Sequence, residues 1–316
     1  MHPLKKTVSA ISLSIALPLT MMGSMAHAGE NMWLYAKGTD TRPEGSFEAK
    51  LSDIARIGKD SGTYRFHDIR PEIEYGITDK LTVSAEAIIF DHTFSGIEEG
   101  NDPVHETQEA EGGSVNKAQY GGYEIALKYN IFSPYKDFMG LSVGLGFEDR
   151  DQYRLDGADI DQKSYTVTLF LQKNFLDDKL TFVMTPKVEF ERRKSPDVLE
   201  EEIAFDFAAG VAYRFMPKWF AGLEFRHQSD YLSVEENGEF EEGIKPSSFD
   251  LFDFSLGDRF QRGNYLGPTI HYAEQRWWAT AGVLFQINGG GGFSKDGKNY
   301  DEHEKYHAGI SLGYEF

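Results

Sequence analysis

None of the 316 residues is cysteine, so neither a disulfide framework nor a thiolate metal site is available to this chain. Bases are scarce: 32 Lys and Arg stand against 51 Asp and Glu, a formal charge of −19. An acidic chain repels polyanions, which excludes nucleic acid as a partner. No GxGxxG, P-loop, HExxH or zinc-ligand spacing occurs, and Gly289 to Gly292 is a bare glycine run rather than a phosphate cradle, so no cofactor or metal is expected. After Ala28 no apolar run approaches the roughly 20 residues that a helical membrane span requires.

The N-terminus carries Lys5 and Lys6, an apolar run from Ala10 to Met22 broken by Pro18, and Ala26-His27-Ala28. A positive head, a short apolar core and a small-x-small site read as a secretory signal peptide over residues 1–28. Its removal takes away two lysines and no acid, moving the formal charge to about −21. Residues 29–45 show no clear period and end in the turn-like Thr41-Arg42-Pro43-Glu44-Gly45. They fit the periplasmic side or the interior of a barrel equally.

Alternation fills the rest, residues 46–316. Leu81, Val83, Ala85, Ala87 and Ile89 share one face of an extended segment, and Thr82, Ser84 and Glu86 share the other. In the tail, Tyr306, Ala308, Ile310, Leu312, Tyr314 and Phe316 alternate in the same way with His307, Gly309, Ser311, Gly313 and Glu315. Low hydropathy with 14% aromatics is expected where only every second strand residue meets lipid. Twelve such segments can be counted, with short turns after even-numbered strands, such as Gly76 to Lys80 and Met216 to Lys218, and long loops after odd ones. The expectation is an all-β fold: a transmembrane antiparallel up-and-down β-barrel of about 12 strands, with short periplasmic turns and long extracellular loops. Tyr75, Tyr129, Tyr213, Phe215, Trp219, Tyr272, Trp277, Tyr314 and Phe316 have outward parity beside the short turns, as an inner aromatic girdle requires, and Phe147, Phe190, Phe205, Phe225, Phe285 and Tyr306 suit the outer one. Pro71, Pro186 and Pro268 lie inside strands, where a missing donor predicts bulges or displaced strand ends.

A chain ending on such a strand, with phenylalanine last, resembles the final strand of Gram-negative outer-membrane barrels. The resemblance implies that Tyr314 and Phe316 signal to the barrel assembly machinery. The run Thr39 to Glu48, the hairpin Glu74 to Val83 and Phe316 look like a broad group of uncharacterised proteobacterial outer-membrane barrels, labelled as transporters or as domains of unknown function. This implies the cell outer membrane as location and outer-membrane lipids and lipopolysaccharide as surroundings. It supplies no catalytic or substrate residues.

The parity that sends Leu and Val to lipid sends charges inward, among them Glu48, Lys50, Asp68, Glu148 and Glu189. Arg or Lys at the lipid midplane costs about 2 to 4 kcal/mol, so these groups face water or one another. Most brace the wall as ion pairs. Arg70, Lys187 and Arg226 facing Glu72, Glu86, Glu124 and Glu224 are the candidates for a constriction, because rings of charge set pore selectivity. Twelve strands lie between filled eight-stranded barrels and wide 16-stranded porins, which predicts a narrow passage for small polar solutes. The acidic loops, with Glu98, Glu99, Asp102, Glu106, Glu109 and Glu111 in one and Glu235 to Glu242 in another, read as solvated surface, with divalent bridging to lipopolysaccharide as the weaker use. Phe249 to Leu256 is apolar for a loop and suits a lid over the mouth. An alternative class is a lipid- or peptide-hydrolysing barrel, with Asp91-His92, His67-Asp68 or His227 and Asp230 as candidate groups; no serine can be paired with them from sequence. A structural or adhesion barrel displaying acidic loops fits the same pattern.

Overall fold

The computed structural model describes residues 31–101, 103–194, 199–232, 258–291 and 294–316. The leader (1–28), the loop acids Asp102 and Glu235 to Glu242, and the apolar stretch Phe249 to Leu256 lie outside the described residues. The strands are β1 (Phe47–Ile57), β2 (Thr63–Thr78), β3 (Leu81–Ser95), β4 (Ser114–Phe132), β5 (Gly140–Gln152) and β6 (Asp159–Phe175). They continue as β7 (Leu180–Lys194), β8 (Leu199–Met216), β9 (Trp219–Leu232), β10 (Asp258–Ala273), β11 (Trp277–Gly291) and β12 (Tyr306–Glu315). Each pairs antiparallel with its chain neighbours, and β1 closes the barrel on β12 from Glu48 opposite Glu315 to Ile57 opposite Tyr306. Closure leaves no free edge, the condition for a sheet to cross hydrocarbon.

The outer wall is apolar: Ile73, Leu145 and Ile310, on three separate strands, are 50 to 58% exposed. In water such a belt would drive association; in a bilayer it is the lipid contact. Inner-girdle rings touch across strands, Phe47 with Tyr75 at 4.5 Å, Trp219 with Tyr272 at 4.7 Å and Tyr272 with Trp277 at 5.2 Å. The outer rings Phe147 and Tyr165 lie 5.2 Å apart, and Phe285 and Tyr306 lie 6.1 Å apart.

The prolines are not bulges. Pro71 stays opposite Leu51 on β1 while the β2/β3 ladder skips from Ile69–Ile89 to Glu72–Glu86 without a change of register. Pro186 likewise keeps Phe207 and loses its β6 partner, and Pro268 keeps Leu223 and loses its β11 partner. Each ring omits one donor on one side only, so the wall tolerates a local gap. The register shifts fall elsewhere, for example between Ile88 and Ile89, and between Asn264 and Tyr265.

Two expectations are corrected. β2 continues to Thr78, so the turn is only Asp79-Lys80, because Gly76 N–H donates to the Ser46 carbonyl and holds the chain in the sheet. The loop after β3 is not simply solvated: it forms α1 (Val104–Ala110), whose Val104 packs with Ile97, Phe66, Phe90, Phe94 and Leu155 in an apolar cluster. Phe66, Phe90 and Phe94 share the inward parity of Asp68 and Glu86, so along β2 and β3 the barrel interior turns from charged to apolar toward its outer end.

Candidate functional site

Register, which no single strand reveals, puts like charges side by side. Glu72 lies opposite Glu86, Glu86 opposite Glu124 and Glu124 opposite Glu148, a row of four carboxylates across β2 to β5. Like charges directly opposite destabilise a sheet, so the row needs cations. Lys50 pairs with Glu72 at one end, and Arg150 pairs with Glu148 at the other. Arg70 serves the middle: its guanidinium lies 2.5 Å from Glu86, 2.8 Å from Asp68, 3.4 Å from Glu148 and 3.5 Å from Glu124.

Across the lumen, Arg226 holds Asp206 at 2.6 Å and Lys187 holds Glu189 at 2.7 Å. Glu224 differs, for its carboxylate accepts the successive backbone N–H groups of Leu34, Tyr35 and Ala36 at 2.9, 2.7 and 2.7 Å. Of the constriction candidates, the structure therefore brings Arg70, Glu86 and Glu124 into one cluster with Glu72 beside them. Lys187 and Arg226 form separate pairs, and Glu224 holds backbone.

That backbone is the segment before β1, which lies inside the barrel. Tyr35 O–H meets His307 Nδ1 at 2.8 Å while the Arg226 guanidinium sits 3.5 Å above its ring. The Thr39 carbonyl accepts from Ser142 Oγ (2.6 Å) and Asn130 Nδ2 (3.0 Å), and Gly38's accepts from Lys128 Nζ (2.9 Å). Arg42 closes the segment onto Glu48 and Glu315 at 2.7 and 2.8 Å. Inward glycines make room for it. A Cβ at Gly210 would run into the Trp33 indole, and one at Gly309 would approach Leu34 to 2.9 Å.

The outer mouth narrows from two sides. Besides the α1 cluster, the loop before β12 folds in: Lys59 Nζ donates to the carbonyls of Asp301 and His303 and lies 3.9 Å from Glu304, which meets His307 at 3.2 Å. Burial pulls the Lys59 ammonium down from its usual range despite these acids. Burial opposes ionisation of Glu304 as well, but the His307 hydrogen bond and the Lys59 and Arg56 charges outweigh it and hold that carboxyl well below the usual range. Between the inner segment and the mouth remains a chamber of about 920 Å³, lined by the carboxylate row, Arg70, Lys187, Arg226, Tyr35 and Arg154.

The profile of a family described only as "Family of unknown function (DUF6662)" matches residues 25–316. The chain belongs to that family. No curated protein sequence matches it. In fold it is similar to an outer membrane channel, COG4313 from Pseudomonas putida F1, at 10% identity over 88% of this chain and 98% of the other, with a TM-score of 0.58. The KdgM porin (11% identity; 86% and 99% covered; TM-score 0.43) and the NanC porin (9%; 84% and 98%; 0.44) are more distant likenesses. At these identities the comparison establishes the architecture of an outer-membrane barrel, not a permeant.

The histidine pairs picked from sequence separate. His92 points inward, stacks on Phe66 and meets the Arg154 carbonyl through Nε2, while Asp91 points the other way. His67 meets Asp53 at 2.8 Å rather than Asp68. His227 and Asp230 stand on opposite faces of β9, and Asp230 accepts from Gln261. His227 instead takes Ser229, two residues along its own strand, and Asn264 on the next strand, a neighbour that only register supplies.

Proposed function

We propose that this protein is a porin-like channel passing small polar solutes through a narrow, mixed-charge lumen. The observation that carries the reading is the chamber of about 920 Å³, lined on one side by the carboxylate row with Arg70 in contact with it and on the other by the Lys187–Glu189 and Arg226–Asp206 pairs. Charges of both signs at one level favour solutes carrying both, or polar solutes carrying neither, over ions of a single sign. The inner segment is the gate. It occupies the bore through hydrogen bonds, charge contacts and two apolar clusters around Trp33 and Leu34, none of them part of the strand ladder, so its release opens the periplasmic end without unfolding the wall. Glu224, Asn130 and Gln172 hold it along its length.

Tyr314 and Phe316 serve as the recognition element for the barrel assembly machinery: their rings lie 5.1 Å apart and Phe316 remains largely exposed. Lipopolysaccharide surrounds the outer rim. Planar-bilayer recordings of the purified protein test the channel: conductance steps that grow when residues 31–42 are deleted support it, and a silent membrane with both proteins refutes it.

A further inference from the structure

On the lipid-facing wall, away from the chamber, four polar side chains form a chain of hydrogen bonds. Ser229 Oγ lies 3.1 Å from His227 Nε2, and His227 Nδ1 lies 2.7 Å from Asn264 Oδ1. Asn264 Nδ2 donates to Asn288 Oδ1 at 2.6 Å, which turns the Asn264 oxygen toward the imidazole. The order is nucleophile, base and orienter, each through the atom that acyl transfer requires: Nε2 faces the hydroxyl while Nδ1–H is held by an acceptor. Arg262, opposite Ser229 in the β9/β10 register, supplies a cation; its Nη1 donates to Asn288 at 3.0 Å and its Nε has no hydrogen-bond partner among the described residues.

Place matters as much as geometry. His227 and Ser229 share the outward parity of Leu223, which is 45% exposed, and Asn264 that of Ile270. From Trp219 in the inner girdle to Ser229 the strand rises about 33 Å, or about 25 Å along the axis at a tilt of ~40°, the full height of a barrel's apolar band. The group thus lies where outer-leaflet acyl esters meet water. A polar cluster in the lipid wall is costly, and a brace would not require this order of atoms.

We infer that Ser229, His227 and Asn264 form a serine esterase site acting on acyl esters of membrane lipids, an activity independent of the channel on the other face of the wall. Ser229 Oγ attacks the ester carbonyl carbon and its proton passes to His227 Nε2. The acyl–oxygen bond breaks, the leaving alkoxide takes that proton, and Arg262 faces the oxyanion. Water then attacks the acyl-serine, giving one proton to Nε2. The Ser229 oxygen leaves and recovers that proton, so one ester and one water yield a fatty acid and an alcohol. Ser229 is fully shielded, between Phe205 on β8 and Arg262 on β10, so these surface side chains must move aside for an ester to enter from the bilayer.

The purified full chain, reconstituted in glycerophospholipid vesicles and in a second arm with lipopolysaccharide, is assayed for fatty-acid release and labelled with a fluorophosphonate probe. Expected are release in at least one arm, which names the lipid source, and a probe adduct on Ser229. Ser229→Ala and His227→Ala should lower release by roughly a thousandfold, and Asn264→Ala by roughly tenfold or more. Lys136→Ala, in the exposed turn between β4 and β5, should leave it unchanged. Absence of both release and Ser229 adduct in the wild-type protein overturns the inference whatever the variants do, as does a folded Ser229→Ala protein with undiminished release. Conductance is read separately, so failure of either proposal leaves the other standing.

Discussion

Replacing Arg70 by methionine tests the organisation of the lumen. The guanidinium contacts Asp68, Glu86, Glu124 and Glu148 within 3.5 Å, and no other cation reaches Glu86 or Glu124 that closely among the described ion pairs. Methionine keeps the length of the stem and removes the charge. Breaking a buried ion pair from one side costs about 3 to 5 kcal/mol, because the partner charges stay desolvated. Arg70 is partly exposed to the chamber, which places the loss nearer the lower figure. The selectivity change follows from Coulomb's law. An ion passing about 5 Å from the missing charge in water gains or loses about 0.8 kcal/mol, reduced to about 0.5 at 0.1 M salt. That is roughly a factor of two for each sign of ion, hence roughly fivefold in the cation-to-anion permeability ratio. Urea unfolding in micelles reads the stability, and the reversal potential in a KCl gradient reads the selectivity. Arg70→Met with Glu86→Gln should recover part of both. A single variant with unchanged unfolding midpoint and reversal potential would show that the four carboxylates do not depend on this cation.

Glu224→Gln replaces a charged acceptor of three backbone N–H groups by a neutral one, which should weaken seating of the inner segment by about 2 to 4 kcal/mol and raise the open fraction in bilayer recordings at least tenfold. Gly210→Val places atoms where the Trp33 indole lies and should expel the segment, seen as a red-shifted tryptophan emission with strand content unchanged by circular dichroism. Burial pushes the half-buried Glu302 carboxyl up to about 7 against the pull of Lys59. A carboxyl raised on folding favours the closed loop while protonated and opposes it once ionised, so that support is lost as pH rises through about 7. Conductance should therefore increase from pH 6 to 8, and Glu302→Gln should abolish the dependence; a wild-type profile flat across that range counts against it.

Much of this architecture is local in origin. Whether a side chain meets lipid or lumen depends on its place in a two-residue period, so Leu81, Val83 and Ala85 could be told from Thr82, Ser84 and Glu86 by counting, and turn residues punctuate the count at nearly every short connection. Strand number, sidedness and the aromatic girdles follow from that same rule. What counting cannot supply is which residue of one strand stands opposite which residue of another. Glu72, Glu86, Glu124 and Glu148 lie far apart in the chain and become a row only when three hairpin registers add up. The seat of Trp33 and Leu34 among Gly210 and Gly309, the packing of α1 against the mouth, and the meeting of His227 with Asn264 are of the same kind. Alternation is a property of one strand, whereas register and the paths of the inner segment and loops are properties of the closed barrel, so the wall is legible along the chain while what fills it and what stands on its outer face depend on how the strands meet.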